Sequence, residues 1–114
     1  MMKVSEFKMK VIHGVNGFID DYFGSPTKVD KFINATLKIM VKQNQHVLDD
    51  VINLFADKEG MIDGEDILRQ YAEIIGDKGI VFDIKDFITS PIIKPMLPDK
   101  VLLIKKEDIL NILD

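Results

Sequence analysis

Residues 4–23 place Val4, Phe7, Val11, Ile12, Val15, Phe18, Ile19, Tyr22 and Phe23 in one arc of roughly 160° when each residue advances about 100° around a helical wheel. Met9 falls outside the arc and Lys8 intrudes on it. "FKMKV" alternates as a strand would, and Asn16-Gly17 is a hairpin turn signal. The helical pattern persists for about five turns and the alternation for only five residues, so an amphipathic helix is expected. Gly14 and Gly17 sit together beside the arc, where they either admit another helix closely or weaken this one. "GSP" at 24–26 ends the element and opens the next, with Ser25 as the expected N-cap and Pro26 in the first turn.

From Pro26 to Phe55 the apolar phase continues. Its first half, "KVDKFINATLKIMVK", spreads apolar residues over roughly 200°, leaving a narrow stripe of Lys28, Lys31, Lys38 and Lys42. So wide an arc belongs to a central helix contacted from several sides. The phase runs on through Val47, Leu48, Val51, Leu54 and Phe55, but "QNQH" at 43–46 puts Asn44 in the middle of the apolar face. Two readings stand. One is a continuous helix of about 45 Å, too long for a small domain to cover alone, with the Asn setting the register of self-association. The other is a pair of helices meeting near 43–46.

A further helix is expected over "EDILRQYAEII", starting at Asp63 or Gly64, with Ile67, Leu68, Tyr71, Ile74 and Ile75 on one face and Gly76 as its stop. The pattern then changes. "GIVFDI" at 79–84 and "KVLLI" at 100–104 are short, apolar and β-branched, as strands are. Between them "SPIIKPMLP" carries three of the four prolines and is expected to be extended or irregular. "KKEDILNIL" at 105–113 reads as a short closing helix. The fold class expected is α+β, mainly α. It is one domain over 1–114, with a helical part at 1–76 and a strand-containing part at 77–114.

Three twelve-residue segments share a local pattern: "DKEGMIDGEDIL" from Asp57, "DKGIVFDIKDFI" from Asp77 and "DKVLLIKKEDIL" from Asp99. Each begins Asp-Lys and has apolar residues at fifth and sixth place, then Asp at tenth. The physical reading is a turn, a short extended piece, and an acid in the first helical turn, where its charge meets the helix dipole. A degenerate repeat and chance in an Asp-, Lys- and Ile-rich chain both account for it.

Composition narrows the function classes. At 114 residues the chain can bury one core. Its 46% hydrophobic content and mean hydropathy of +0.08 are high for a small domain, so some apolar surface is expected to need a partner or a second copy. No apolar run approaches the roughly 20 residues that cross a bilayer, and the charged, interleaved N-terminus does not read as a signal peptide. Without cysteine there is no disulfide, thiol nucleophile or thiolate metal site. A cytoplasmic or virion-internal location is expected, and the Lys-, Ile- and Asp-rich usage suits an AT-rich bacterial or bacteriophage genome. The net charge of −4 is carried by the second half: residues 57–114 hold 13 acids against eight basic residues. An acidic surface with one arginine, Arg69, disfavours phosphate backbones.

The stretch richest in chemistry is "ADKEGMIDGEDIL" at 56–68. It faintly resembles an EF-hand calcium loop, which needs acidic oxygens at positions 1, 3, 5 and 12 and glycine at 6. With Gly60 at the sixth place, Asp57, Glu59 and Asp63 fall at the third, fifth and ninth. The first place falls on Phe55, which ligates nothing, and the twelfth on Asp66, a shorter arm than the usual Glu. An acidic turn with a helix cap is therefore expected, and Asp57, Glu59, Asp63 and Asp66 are the weaker metal-binding alternative. His13 faces away from the apolar arc, and His46 has Asp49 and Asp50 three and four residues on, an ordinary surface pairing. No set of converging polar groups suggests catalysis, and no cofactor is implied. With the lysine stripe on the face of the second helix, three helices followed by a strand pair superficially resemble a winged-helix DNA-binding domain, but a solvated helix face explains the lysines as well. The function expected is a non-enzymatic protein–protein interaction or assembly module, self-associating, with Phe7, Phe18 and Tyr22 as anchors if the first helices carry the surface. The same residues also suit the core. A divalent-cation or nucleic-acid binder is the alternative.

Overall fold

In the computed structural model, which describes residues 1–86, 90–92, 94–97 and 101–113, the N-terminal apolar arc is helix α1 (Val4–Tyr22). The intruding Lys8 reaches off the apolar face to Asp49, 2.7 Å away, and Met9, outside the arc, is 72% exposed. Ahead of α1, β1 (Met2–Lys3) pairs antiparallel with β2 (Met61–Ile62), Met2 opposite Ile62. This strand pair is not legible in the sequence, because two residues are too few to show a period.

Helix α2 (Lys28–Gln43) starts two residues later than the Ser-Pro signal suggests. Its N-cap is Thr27, whose hydroxyl accepts from the Asp30 N–H at 3.2 Å, while the Ser25 hydroxyl donates to the Asp30 carboxylate at 2.7 Å. Of the two readings of residues 26–55, the pair of helices holds. α2 ends at Asn44 and α3 (Gln45–Phe55) follows at once. Asn44 has φ −101° and ψ 15°, and its side-chain amide donates to the Met40 carbonyl at 2.7 Å, so it closes α2. The apolar spacing in the sequence keeps one phase on both sides of Asn44, so periodicity alone does not reveal the joint.

Helix α4 (Gly64–Ile75) is capped by Asp63, which accepts from the Asp66 N–H at 3.2 Å. The expected strands are β3 (Ile80–Asp83) and β4 (Val101–Ile104), antiparallel with Ile80 opposite Ile104. Two 3-10 turns, Ile84–Asp86 and Lys94–Met96, lie in the proline-bearing connection, and α5 (Lys106–Leu110) follows β4. The architecture is thus α+β and mainly α, with five helices and two short antiparallel pairs among the described residues.

Where they are described, the three Asp-Lys segments follow one local course. Each reaches a strand near its middle and a helical turn at its tenth-place acid. In the last, the Asp108 carboxylate accepts from the Lys105 N–H at 2.8 Å. Yet β2 pairs with β1 while β3 pairs with β4, so equal local courses do not build one sheet.

Two separate cores form at opposite ends of α1. Near its start, Phe7 packs with Ile52, Ile62, Ile67 and Leu68; near its end, Ile19 and Phe23 pack with Ile33, Ile84 and Leu97. Here α1, touching α2, α3, β1 and β2, is the central helix. α2, the expected centre, has Ile33 as its one fully buried residue and leaves Phe32 and Ile39 exposed. Its wide arc meets α1 on one side and is uncovered on the other. The molecule measures 48 × 29 × 23 Å with a radius of gyration of 15.5 Å, against about 13 Å for a compact chain of this length.

Candidate interaction surface

Between the two cores, the middle of α1 is only half covered. Of the nine residues in its apolar arc, Phe7, Ile19 and Phe23 are buried, while Val4, Val11, Ile12, Val15, Phe18 and Tyr22 are half-buried. An open apolar trough lies over this stretch. One end, about 290 Å³, is formed by Val15, Phe18 and Ile19 with Leu37, Met40 and Val41 of α2 and Phe82, Leu102 and Ile104 of the β3–β4 pair. The other, about 690 Å³, lies among Val11, Ile12, Val47, Leu48, Val51, Leu68 and Tyr71. Val15, Val41, Asn44 and Phe82 line both, so the two are one continuous surface. The break at Asn44 shapes it, because the helix joint carries α2 over one end and α3 over the other.

The chain exposes 7743 Å² in all, whereas a compact monomer of 13.0 kDa exposes about 6,300 Å²; the larger total, polar and apolar together, goes with the elongated shape. Among the described residues, Leu54 and Ile74, 81% and 82% exposed, are the most open of the large apolar side chains.

The residues singled out from the sequence fall in different settings. Phe7, 2% exposed, is core: its ring lies against Gly64, where an added Cβ would come within 2.6 Å of it. Tyr22 packs on the second core, and its hydroxyl donates to the Leu103 carbonyl at 2.8 Å, tying α1 to β4. Phe18 lines the trough. Gly14 does permit close approach, with an added Cβ 3.1 Å from Ile112, whereas Gly17 faces open space.

On the lysine stripe, Lys38 lies 2.6 Å from the Asp20 carboxylate. Hydrogen bonding from Asn34, then from Lys38, holds Asp20 below the ordinary carboxylate pKa. Lys28, Lys31 and Lys42 are exposed and make no ion pair among the described residues. The stripe is therefore divided rather than a uniform cationic face.

In the acidic turn, the Asp57 carboxylate accepts from the N–H groups of Glu59 and Met61 at 2.9 and 3.0 Å, and Asp63 caps α4. Asp66 accepts from the Gln70 amide at 2.9 Å, and the Glu59 side chain is exposed. These acids serve their own backbone and helix. Among the described residues no three His, Asp or Glu side chains are grouped as a metal site. His13 and His46 are both exposed.

Sequence reasoning placed Ile67, Leu68 and Tyr71 on one face of α4, and all three line the trough; it missed the role of Phe82, which no local pattern marks. Among the described residues no helix is long and apolar enough to cross a membrane. Comparison with protein-family models, with curated proteins and with solved structures gives no match for this chain.

Proposed function

We propose that this protein is a non-enzymatic interaction and assembly module that self-associates. The observation that carries the reading is the open apolar trough together with the exposed Leu54, Phe55 and Ile74. Exposed apolar surface is costly in water, and a partner that covers it removes that cost. A second copy is always at hand and carries the same surface. The trough offers shape and apolar area, with Asn44 and Gln45 as the amide-bearing residues on its lining. That is the make-up of a protein-docking surface rather than of a site for converging acid–base chemistry.

Light scattering over a hundredfold range of concentration tests it. A mass of at least twice 13.0 kDa is expected throughout or approached as concentration rises. A monomer mass at every concentration would sink self-association.

A further inference from the structure

The joint between α2 and α3 is a helix interrupted at one residue. Among the described residues, the N–H groups of Gln45 and His46 have no backbone partner, and neither do the Val41 and Lys42 carbonyls that would accept them in an unbroken helix. The Val47 N–H donates to the Asn44 carbonyl at 3.1 Å, in a tightened turn, rather than to Gln43. The start of α3 has no side-chain cap, whereas Thr27 caps α2 and Asp63 caps α4. Donors without partners on one side of the joint thus match acceptors without partners on the other. Asn44, with φ −101° and ψ 15°, departs from helical values by about 40° and 60°. The Met40 carbonyl accepts both its side-chain amide at 2.7 Å and its N–H at 3.0 Å. A side chain bonded to the backbone in this way competes with the helical ladder.

We infer that Asn44 is a hinge: α2 and α3 interconvert between the bent pair and one straight helix, and this motion sets the width of the trough. The change is confined to the two dihedral angles of a single exposed residue, as hinges require. The apolar spacing keeps one phase across residue 44, so the straight helix also presents one continuous apolar face. The two forms are held by opposing terms. Packing of Leu48 and Ile52 on the Phe7 core favours the bend, and pairing of the orphan groups at 41–47 favours the straight helix. α2 joins the core around Ile19 and Phe23 through Ile33, while α3 joins the core around Phe7 through Ile52, so the joint lies between two separately packed regions. Asn44 lines both ends of the trough, and a change of angle there alters its whole length. The hinge rests on hydrogen bonds within one chain and is independent of self-association.

The test compares full-length wild type, N44A and N44G by NMR. Both variants delete the same side chain and its bond to Met40, so they differ chiefly in helix continuity, which Ala favours over Gly by a factor of roughly five. Residue 44 is exposed, and both variants are expected to fold. In N44A, residue 44 is expected to take helical carbon shifts, and the Gln45 and His46 amides to exchange slowly. In N44G those amides are expected to exchange faster, by up to about fivefold. The side chains of Val15 and Phe82, which line both ends of the trough from α1 and β3, are expected to shift in N44A and to stay near their wild-type positions in N44G. Gln45 and His46 amides that exchange equally in the two variants would overturn the hinge. Protected amides in N44A with unmoved Val15 and Phe82 would overturn its control of the trough.

Discussion

The two ends of α1 are built differently. At its start, α3, α4 and the β1–β2 pair surround Phe7, with α5 packed against α4. The backbone joins in: the Val4 N–H donates to the Gly60 carbonyl at 3.1 Å, and Asp57 and Asp63 cap the turn and the helix that follow. At its end, α1 meets α2 alone among the helices. Among the described residues, two of the five buried there, Ile84 and Leu97, come from the stretch between β3 and β4. One core is enclosed by helices and a strand pair, and the other is closed in part by single side chains reaching in from a connection. The trough is the space the two leave between them. A chain can thus bury two sets of residues well and still leave a long apolar surface open.

The comparison can be broken most severely at Phe7. Phe7→Ala is expected to cost about 3–5 kcal/mol in urea unfolding, and Gly64→Ala about 1–3 kcal/mol, because the new methyl meets the Phe7 ring. A Gly64→Ala variant as stable as wild type would show that the first core is looser than its geometry. At the other end, Ile84→Ala is expected to cost about 2–5 kcal/mol. In hydrogen exchange it should release the amides of β3 and β4 before those of α4, by local opening. Uniform loss of protection would mean that both cores open as one.

A smaller effect is expected from Tyr22→Phe, about 0.5–1.5 kcal/mol, from loss of the bond to the Leu103 carbonyl. The smallest concerns Asp20. Its folded pKa lies below the ordinary value, chiefly through Asn34 and then Lys38. Its contribution is therefore present above the unfolded pKa and lost as pH falls through the folded one. Lys38→Met should raise the Asp20 pKa measured by NMR, and an unmoved titration would remove Lys38 from the explanation.

Much of this was legible in the residues. The arc from Val4 to Phe23 located α1 and its inner face, and Asp63 and Gly76 marked the ends of α4, because caps and stops act locally. Burial within the arc was not legible. Phe7 and Phe18 lie on the same side of α1, yet one is core and the other lines the trough. The difference is Gly64, distant in sequence, which lets α4 approach one ring closely. The joint at Asn44 was ambiguous because the apolar phase is equal on both sides of it. Periodicity tells which face of a helix avoids water; what covers that face depends on contacts made elsewhere in the chain or by another copy.

The measurement that bears most directly on the trough is hydrogen exchange of α3 and α4 at dilute and concentrated protein. If association covers this surface, their amides exchange more slowly as concentration rises, because the bound form is favoured by mass action. Exchange rates for both helices that do not change over a hundredfold range of concentration would contradict it.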